Sequence, residues 1–151
     1  MLKIRPAREA DEGLRASLGM VITRRATFAA AHVLRRPDWD EDENRRVFGA
    51  CAGDHGHNYV LEVSVGGIPD AGTGMVVNLK DLDRAMREAV IDKVDHRHLN
   101  RDVDFLEGVI PTAENLALAF WHQLETRMPG GRLERLRLVE SENNSVEVQA
   151  R

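Results

Sequence analysis

One cysteine in 151 residues, Cys51, leaves the chain unable to close an intrachain disulfide, which fits a reducing compartment rather than a secreted scaffold. No stretch approaches the roughly eighteen apolar residues of a membrane-spanning helix. The N-terminus, MLKIRPAREADEGLRASLGM, scatters its charges and holds no apolar run of signal-peptide length. Excess positive charge is missing too, the formal net charge being −4. That argues against nucleic acid or an anionic membrane as the main partner, because both select basic surfaces. Repeats and low-complexity tracts are absent. What remains is a cytoplasmic globular protein, 42% hydrophobic and 30% charged, long enough for one domain with a real core.

Residues 1–20 read as an N-terminal extension, mobile or holding a short helix, and the patterned domain spans 21–151. Residues 21–31 are apolar and β-branched and predict a strand that ends at His32. A long polar connection follows, with Pro37 and an acidic run over 38–43; loops of this length in small domains are often functional. In HNYVLEVSV, Tyr59, Leu61, Val63 and Val65 alternate with Asn58, Val60, Glu62 and Ser64, the pattern of a half-buried strand. After the turn cluster GGIPDAGTG, the stretch NLKDLDRAMREAVIDKV spaces Leu79, Leu82, Met86, Val90 and Val94 as one helix face, capped by Asn78. A second helix, TAENLALAFWHQLETRM, starts behind Pro111 with Thr112 as N-cap and presents Ala113, Leu116, Phe120 and Leu124. PGG at 129–131 ends it. LERLRLVE and SVEVQ complete the chain as strands about a SENN turn. The order predicts an α+β layer, an antiparallel sheet with both helices on one face. Its bare face points to oligomerisation.

CAGDHGHNY (51–59) packs the cysteine and two of the six histidines into one stretch. His55 and His57, two apart, lie on one side of an extended chain and can grip one metal ion. His32 supplies a third ligand if the two strands pair. Three neutral imidazoles leave one position open around Zn²⁺, the arrangement of a catalytic site. Cys51 has three readings: fourth zinc ligand, small buried hydrophobe or reactive thiol. Its Gly-rich polar loop is a poor place for packing, and imidazoles or a metal nearby favour the thiolate. In DHRHLN (95–100), Asp95 can orient His96 for proton transfer, or His96 can simply be a favourable cation at a helix C-terminus. His98 and His122 read as structural. Glu140 ends a strand on the face of Leu136 and Leu138. A carboxylate there is costly unless paired, which suggests a ligand bearing several N–H donors.

Six stretches, TFAAAH (27–32), NRRVFGACAGDHGHNY (44–59), GMVVNLKDL (74–82), VDHRHLN (94–100), PTAEN (111–115) and VESENNSVEV (139–148), resemble in order the 6-pyruvoyltetrahydropterin synthase and 6-carboxytetrahydropterin synthase family. The resemblance implies a T-fold: a four-stranded antiparallel sheet with two helices on one face, trimers closing into a barrel and two trimers stacking into a homohexamer. It makes His32, His55 and His57 the zinc ligands, Cys51 the proton-abstracting thiol, and Asp95 with His96 a proton relay. Glu140 becomes the pterin anchor, and Thr112 and Glu114 further residues of the pterin pocket, Thr112 doubling as the helix cap. The implied substrate is 7,8-dihydroneopterin triphosphate, bound at sites between subunits.

Three residues separate Cys51 from HGH, the spacing of the carboxy-forming branch, which releases acetaldehyde and triphosphate on the route to queuosine. The alternatives are triphosphate elimination to the pyruvoyl product, a different T-fold enzyme, or a non-catalytic zinc-stabilised T-fold protein. Where the family often carries Lys before the cysteine, this chain has Ala50, and Arg45, Arg46 and Arg97 are the candidate replacement cations.

Overall fold

Alternation along the strands builds the molecule. In the computed structural model, which describes residues 1, 3 and 9–151, strands β1 (Met20–His32) and β2 (His55–Gly67) pair antiparallel along their whole length, from Met20 opposite Gly67 to His32 opposite His55. A two-residue strand, β3 (Arg97–His98), adds to the outer edge of β1 in parallel. On the other side β4 (Arg132–Ser141) and β5 (Asn144–Gln149) continue the antiparallel ladder, giving the order β3-β1-β2-β4-β5. The sheet therefore has five strands where the sequence predicts four. The extra one is too short to leave a periodic signal.

One sheet face is apolar. Ala26, Phe28, Tyr59, Leu61, Val63, Val65, Leu136 and Leu138 are all buried, and Phe28 stacks on Tyr59 with ring centroids 4.8 Å apart. Each fully buried leucine of this set contributes about 1.5–3 kcal/mol. The helices cover that face. Helix α3 (Leu79–Met86) is capped by Asn78, whose side chain accepts the Lys80 N–H, and runs through a π turn (Arg87–Ile91) into the short α4 (Asp92–Val94). Leu82, Met86, Val90 and Val94 are all fully buried. Their strict four-residue spacing overruns the α turn of about 3.6 residues, and the wider π turn absorbs the drift. Helix α5 (Ala113–Leu124) starts as predicted, with Thr112 accepting the Asn115 N–H, and stops at Leu124, ahead of the PGG turn. The opposite sheet face is polar: Thr23 hydrogen-bonds Ser64 at 2.7 Å, and Arg137 reaches both Glu62 and Glu147.

Within the N-terminal extension, Glu9–Ser17 forms α1, while residues 2 and 4–8 lie outside the described residues. The long connection holds an unexpected helix, α2 (Glu41–Phe48), capped by Asp40 and laced by Glu41–Arg45 and Glu43–Arg46 ion pairs. Asn44, fully buried, stitches it to the loop. Its Nδ2 donates to the carbonyls of Arg36, Trp39 and Asp40, and its Oδ1 accepts the Arg36 N–H.

Candidate metal centre and substrate cavity

The last rung of the β1–β2 ladder sets His32 opposite His55, and the one before but one sets Ala30 opposite His57. Because side chains alternate along a strand, all three imidazoles project to the helix-covered side. Their candidate ligand nitrogens lie within 4.8 Å of one another.

Backbone carbonyls fix how the rings point. His32 donates from Nδ1 to the Pro111 carbonyl at 2.9 Å, and His55 donates from Nδ1 to the Gly53 carbonyl at 2.8 Å. Each ring's proton is thus on Nδ1, and the two bare Nε2 atoms face each other at 2.9 Å. The Nε2 of His57 is buried and has no hydrogen-bond partner. Lone pairs facing across such a gap repel unless a cation lies between them, and a carbonyl-oriented imidazole is the usual form of a metal ligand. The donor set fits a divalent ion that takes nitrogen ligands.

The electrostatics agree. His32 is 1% exposed, and burial first, then the neighbouring His55 and His57, lowers its pKa to about 4 against the opposing pull of the Pro111 carbonyl. Burial likewise lowers that of His57, opposed by Glu140. Both rings are therefore neutral and ready to ligate at neutral pH. Tyr59, beneath them, has its hydroxyl 3.4 Å from His32 Nδ1; burial pushes its phenol pKa upward, so it stays protonated.

Cys51 sits on a single turn, Gly49–Ala52, directly after α2. Gly49, at φ 59°, makes the reversal that a side chain would strain. The Cys51 carbonyl accepts the N–H of Leu34 at 2.8 Å, which holds the turn beside the end of β1. Its side chain is partly buried, and the converging ligand cluster consists of the three histidines without Cys51. The fourth-ligand reading of this cysteine has no support in the geometry.

Glu140, Thr112 and Glu114 line one cavity of about 580 Å³, together with Leu34 and Asn144. Glu140 acts electrostatically on His57 and Tyr59, which links the Glu140 end of this cavity to the trihistidine cluster. Asp95 and His96 are placed elsewhere. Asp95 accepts the Ala29 N–H at the β1 edge and lies 2.9 Å from His96 Nδ1. The Ala29 N–H, followed by His96, outweighs burial and holds the Asp95 carboxyl below its usual range. His96 has a φ of 59°, the one positive value outside glycine among the described residues, and its side chain is 83% exposed. Such strain concentrates at functional positions. His96 borders a groove of about 510 Å³ whose walls include Ala29, Ala31, Asn58 and His57 of the trihistidine cluster. Within one chain, then, the dyad sits at the outer edge of β1, where the Ala29 N–H donates to Asp95 and the Ala29 carbonyl accepts the His96 N–H.

Of the candidate cations, Arg45 and Arg46 are engaged with Glu41 and Glu43, whereas Arg97 borders the His96 groove. The carbonyls of Pro111 and Gly53 are functional groups the sequence does not disclose, since backbone acceptors carry no residue signature. Asn100 was also passed over. Its amide clamps both the N–H and the carbonyl of Val33, each at 2.9 Å, immediately after His32.

A family profile described as 6-pyruvoyl tetrahydropterin synthase matches residues 21–151. The chain belongs to this family. It is 39% identical over 127 residues to the 6-pyruvoyl tetrahydrobiopterin synthase of Dictyostelium discoideum, covering 84% of this chain and 93% of that one. The solved structure of Caenorhabditis elegans 6-pyruvoyl tetrahydropterin synthase superposes with a TM-score of 0.82 at 32% identity, over 89% of this chain and 97% of that chain. A further relative, the dihydroneopterin monophosphate aldolase of Pyrococcus furiosus, is 33% identical over 126 residues, 83% of this chain and 93% of that one. The α+β architecture is that of the family, and the protein is an enzyme of the same lyase type. Among the described residues no helix is long and apolar enough to cross a membrane.

Proposed function

We propose that this protein is a zinc-dependent lyase that eliminates triphosphate from 7,8-dihydroneopterin triphosphate to give 6-pyruvoyltetrahydropterin. One observation carries the reading: imidazole nitrogens of His32, His55 and His57 converge within 4.8 Å of one another, near a cavity whose wall holds Glu140, Thr112 and Glu114. His32, His55 and His57 would hold Zn²⁺, which supplies Lewis-acid polarisation of a side-chain oxygen of the substrate. Glu140 accepts the ring and amino N–H groups of the pterin and so orients it. Cys51, as thiolate, takes a carbon-bound proton from the side chain. His96, steadied by Asp95 at Nδ1, moves a proton at the hydroxyl. Asp95 and His96 are held at the β1 edge and are not among the residues lining the Glu140 cavity, so in this reading a complete site takes the dyad from a neighbouring subunit, in keeping with a homohexamer.

The branch assigned from the Cys51–His55 spacing is revised. Several synthases similar to this chain are named for the pyruvoyl product. Short as it is, the connection seats His55, whose Nδ1 donates to the Gly53 carbonyl. The carboxy-forming reading keeps that spacing as its support. Feeding dihydroneopterin triphosphate to zinc-loaded protein separates the two. Triphosphate with a pyruvoyl pterin is expected; acetaldehyde release overturns the choice.

A further inference from the structure

Two residues with no role in this chemistry touch the site from outside. The side chain of His98, in β3, is 11% exposed, and its Nε2 lies 2.8 Å from Asp54 Oδ1. The Nδ1 of the same ring accepts the N–H of Asn100 at 3.3 Å, so the ring proton is on Nε2 and is donated to Asp54. His98 is itself anchored, its backbone N–H donating to Asp102 at 2.9 Å. The segment around it holds β1 on either side of His32. Leu99 donates its N–H to the Ala31 carbonyl at 2.8 Å, and Asn100 clamps Val33.

The other end of the bond is equally well placed. Asp54 stands between Gly53, whose carbonyl seats the His55 ring, and His55 itself, and it follows Cys51 by three residues. In a connection this short, a displacement of Asp54 is passed to both neighbours. The β1–β2 ladder ends at the His32–His55 rung, so nothing in the sheet constrains the chain on the Cys51 side of His55.

We propose that the His98–Asp54 hydrogen bond is a brace that sets His55 and Cys51 in register with His32. Both are positioning residues, since neither touches the metal or the substrate. The inference rests on the reading of the three histidines as a metal centre. An exposed ion pair is worth little, but this donor is nearly buried and its acceptor is next to a metal-ligating residue. Hydrogen-bond partners beyond the ligand shell typically matter by about 10–100-fold in metal affinity.

Titrating metal-free protein with Co²⁺, and following the visible d–d absorption, tests it without relying on turnover. Asp54→Ala and His98→Phe are expected to weaken Co²⁺ binding by about 10–100-fold and to shift the absorption band. The double variant is expected to be no weaker than the worse single one, because both remove one bond. Asp54→Asn still accepts the bond and His98→Gln still donates it, so both are expected to stay close to wild type. In turnover, the disruptive variants lower kcat with KM little changed. Equal Co²⁺ affinity and spectrum in wild type and Asp54→Ala overturns the brace alone, as does an Asp54→Asn variant as impaired as Asp54→Ala. Wild-type protein that takes up no Co²⁺ overturns the metal centre and the brace with it.

Discussion

Protonation of the empty trihistidine cluster makes the metal-free protein labile to mild acid, by an amount that follows from His32. Burial lowers its pKa from 6.5 to about 4. The unfolded chain therefore binds this proton first as pH falls, and stability is lost between the two values. It is fully present above the unfolded pKa and declines as pH drops toward the folded one. At about 1.4 kcal/mol per unit, His32 alone accounts for roughly 2 kcal/mol between pH 7 and 5 and about 3 kcal/mol by pH 4. His57, also lowered by burial, adds in the same direction. Between pH 7 and 5 the carboxylates add little: Asp83 and Asp95, lowered from 3.8, and Glu41 and Glu43, lowered from 4.5, lose their contributions only as pH falls through those values and below. Urea unfolding of chelator-treated protein, at fixed protomer concentration from pH 7 to 5, measures the effect. His32→Asn, which cannot titrate, is expected to flatten the curve by about 2 kcal/mol. A wild-type curve as flat as that of the variant refutes the argument. Bound metal, which competes with the same protons, is expected to hold stability to lower pH.

Three further outcomes are expected. Cys51→Ala lowers kcat by about 10²–10⁴-fold, the range for a lost general base, while zinc content measured by atomic absorption stays stoichiometric. Glu140→Gln keeps an acceptor but loses the charge, and its KM rises by about 10–100-fold, the equivalent of a charge-assisted hydrogen bond, with the far-UV spectrum unchanged. His96→Gly abolishes turnover yet leaves thermal stability unchanged or raised by about 1 kcal/mol, because glycine relieves the positive φ at an exposed site; a large fall in stability would contradict the strain.

Periodicity made most of the fold legible. Strands β1, β2, β4 and β5 alternate, α3 and α5 carry apolar stripes, and Asn78 and Thr112 cap where predicted. Helix α2 escaped because it is polar all round, held by ion pairs and the Asn44 stitch rather than by an apolar face. Its signs were present nonetheless: Asp40 as cap, acids at the start and arginines at the end. In the site, the His55–His57 pair could be read from alternation alone. The third ligand could not, because His32 joins them only through a register that puts it opposite His55. For the product, spacing and relatives point apart: the Cys51–His55 connection reads as the carboxy-forming branch, while similar synthases are named for the pyruvoyl product.

The end of β1 shows why these parts are inseparable. On its even positions Phe28 and Ala30 belong to the core and His32 to the trihistidine cluster. At Ala29 the backbone N–H binds Asp95 and the carbonyl accepts the His96 N–H. Beyond it, Ala31 pairs with β3, Val33 is clamped by Asn100, and Leu34 holds the Cys51 turn. Six consecutive residues thus touch the trihistidine cluster, the Cys51 turn and the Asp95–His96 pair, through a side chain on one face and through backbone groups along the strand edge. In the assembly proposed above, a single strand end would serve the metal half of one site and the relay half of the next. Substitutions here should therefore couple strongly, and displacement of this segment would alter metal affinity and proton transfer together rather than one alone.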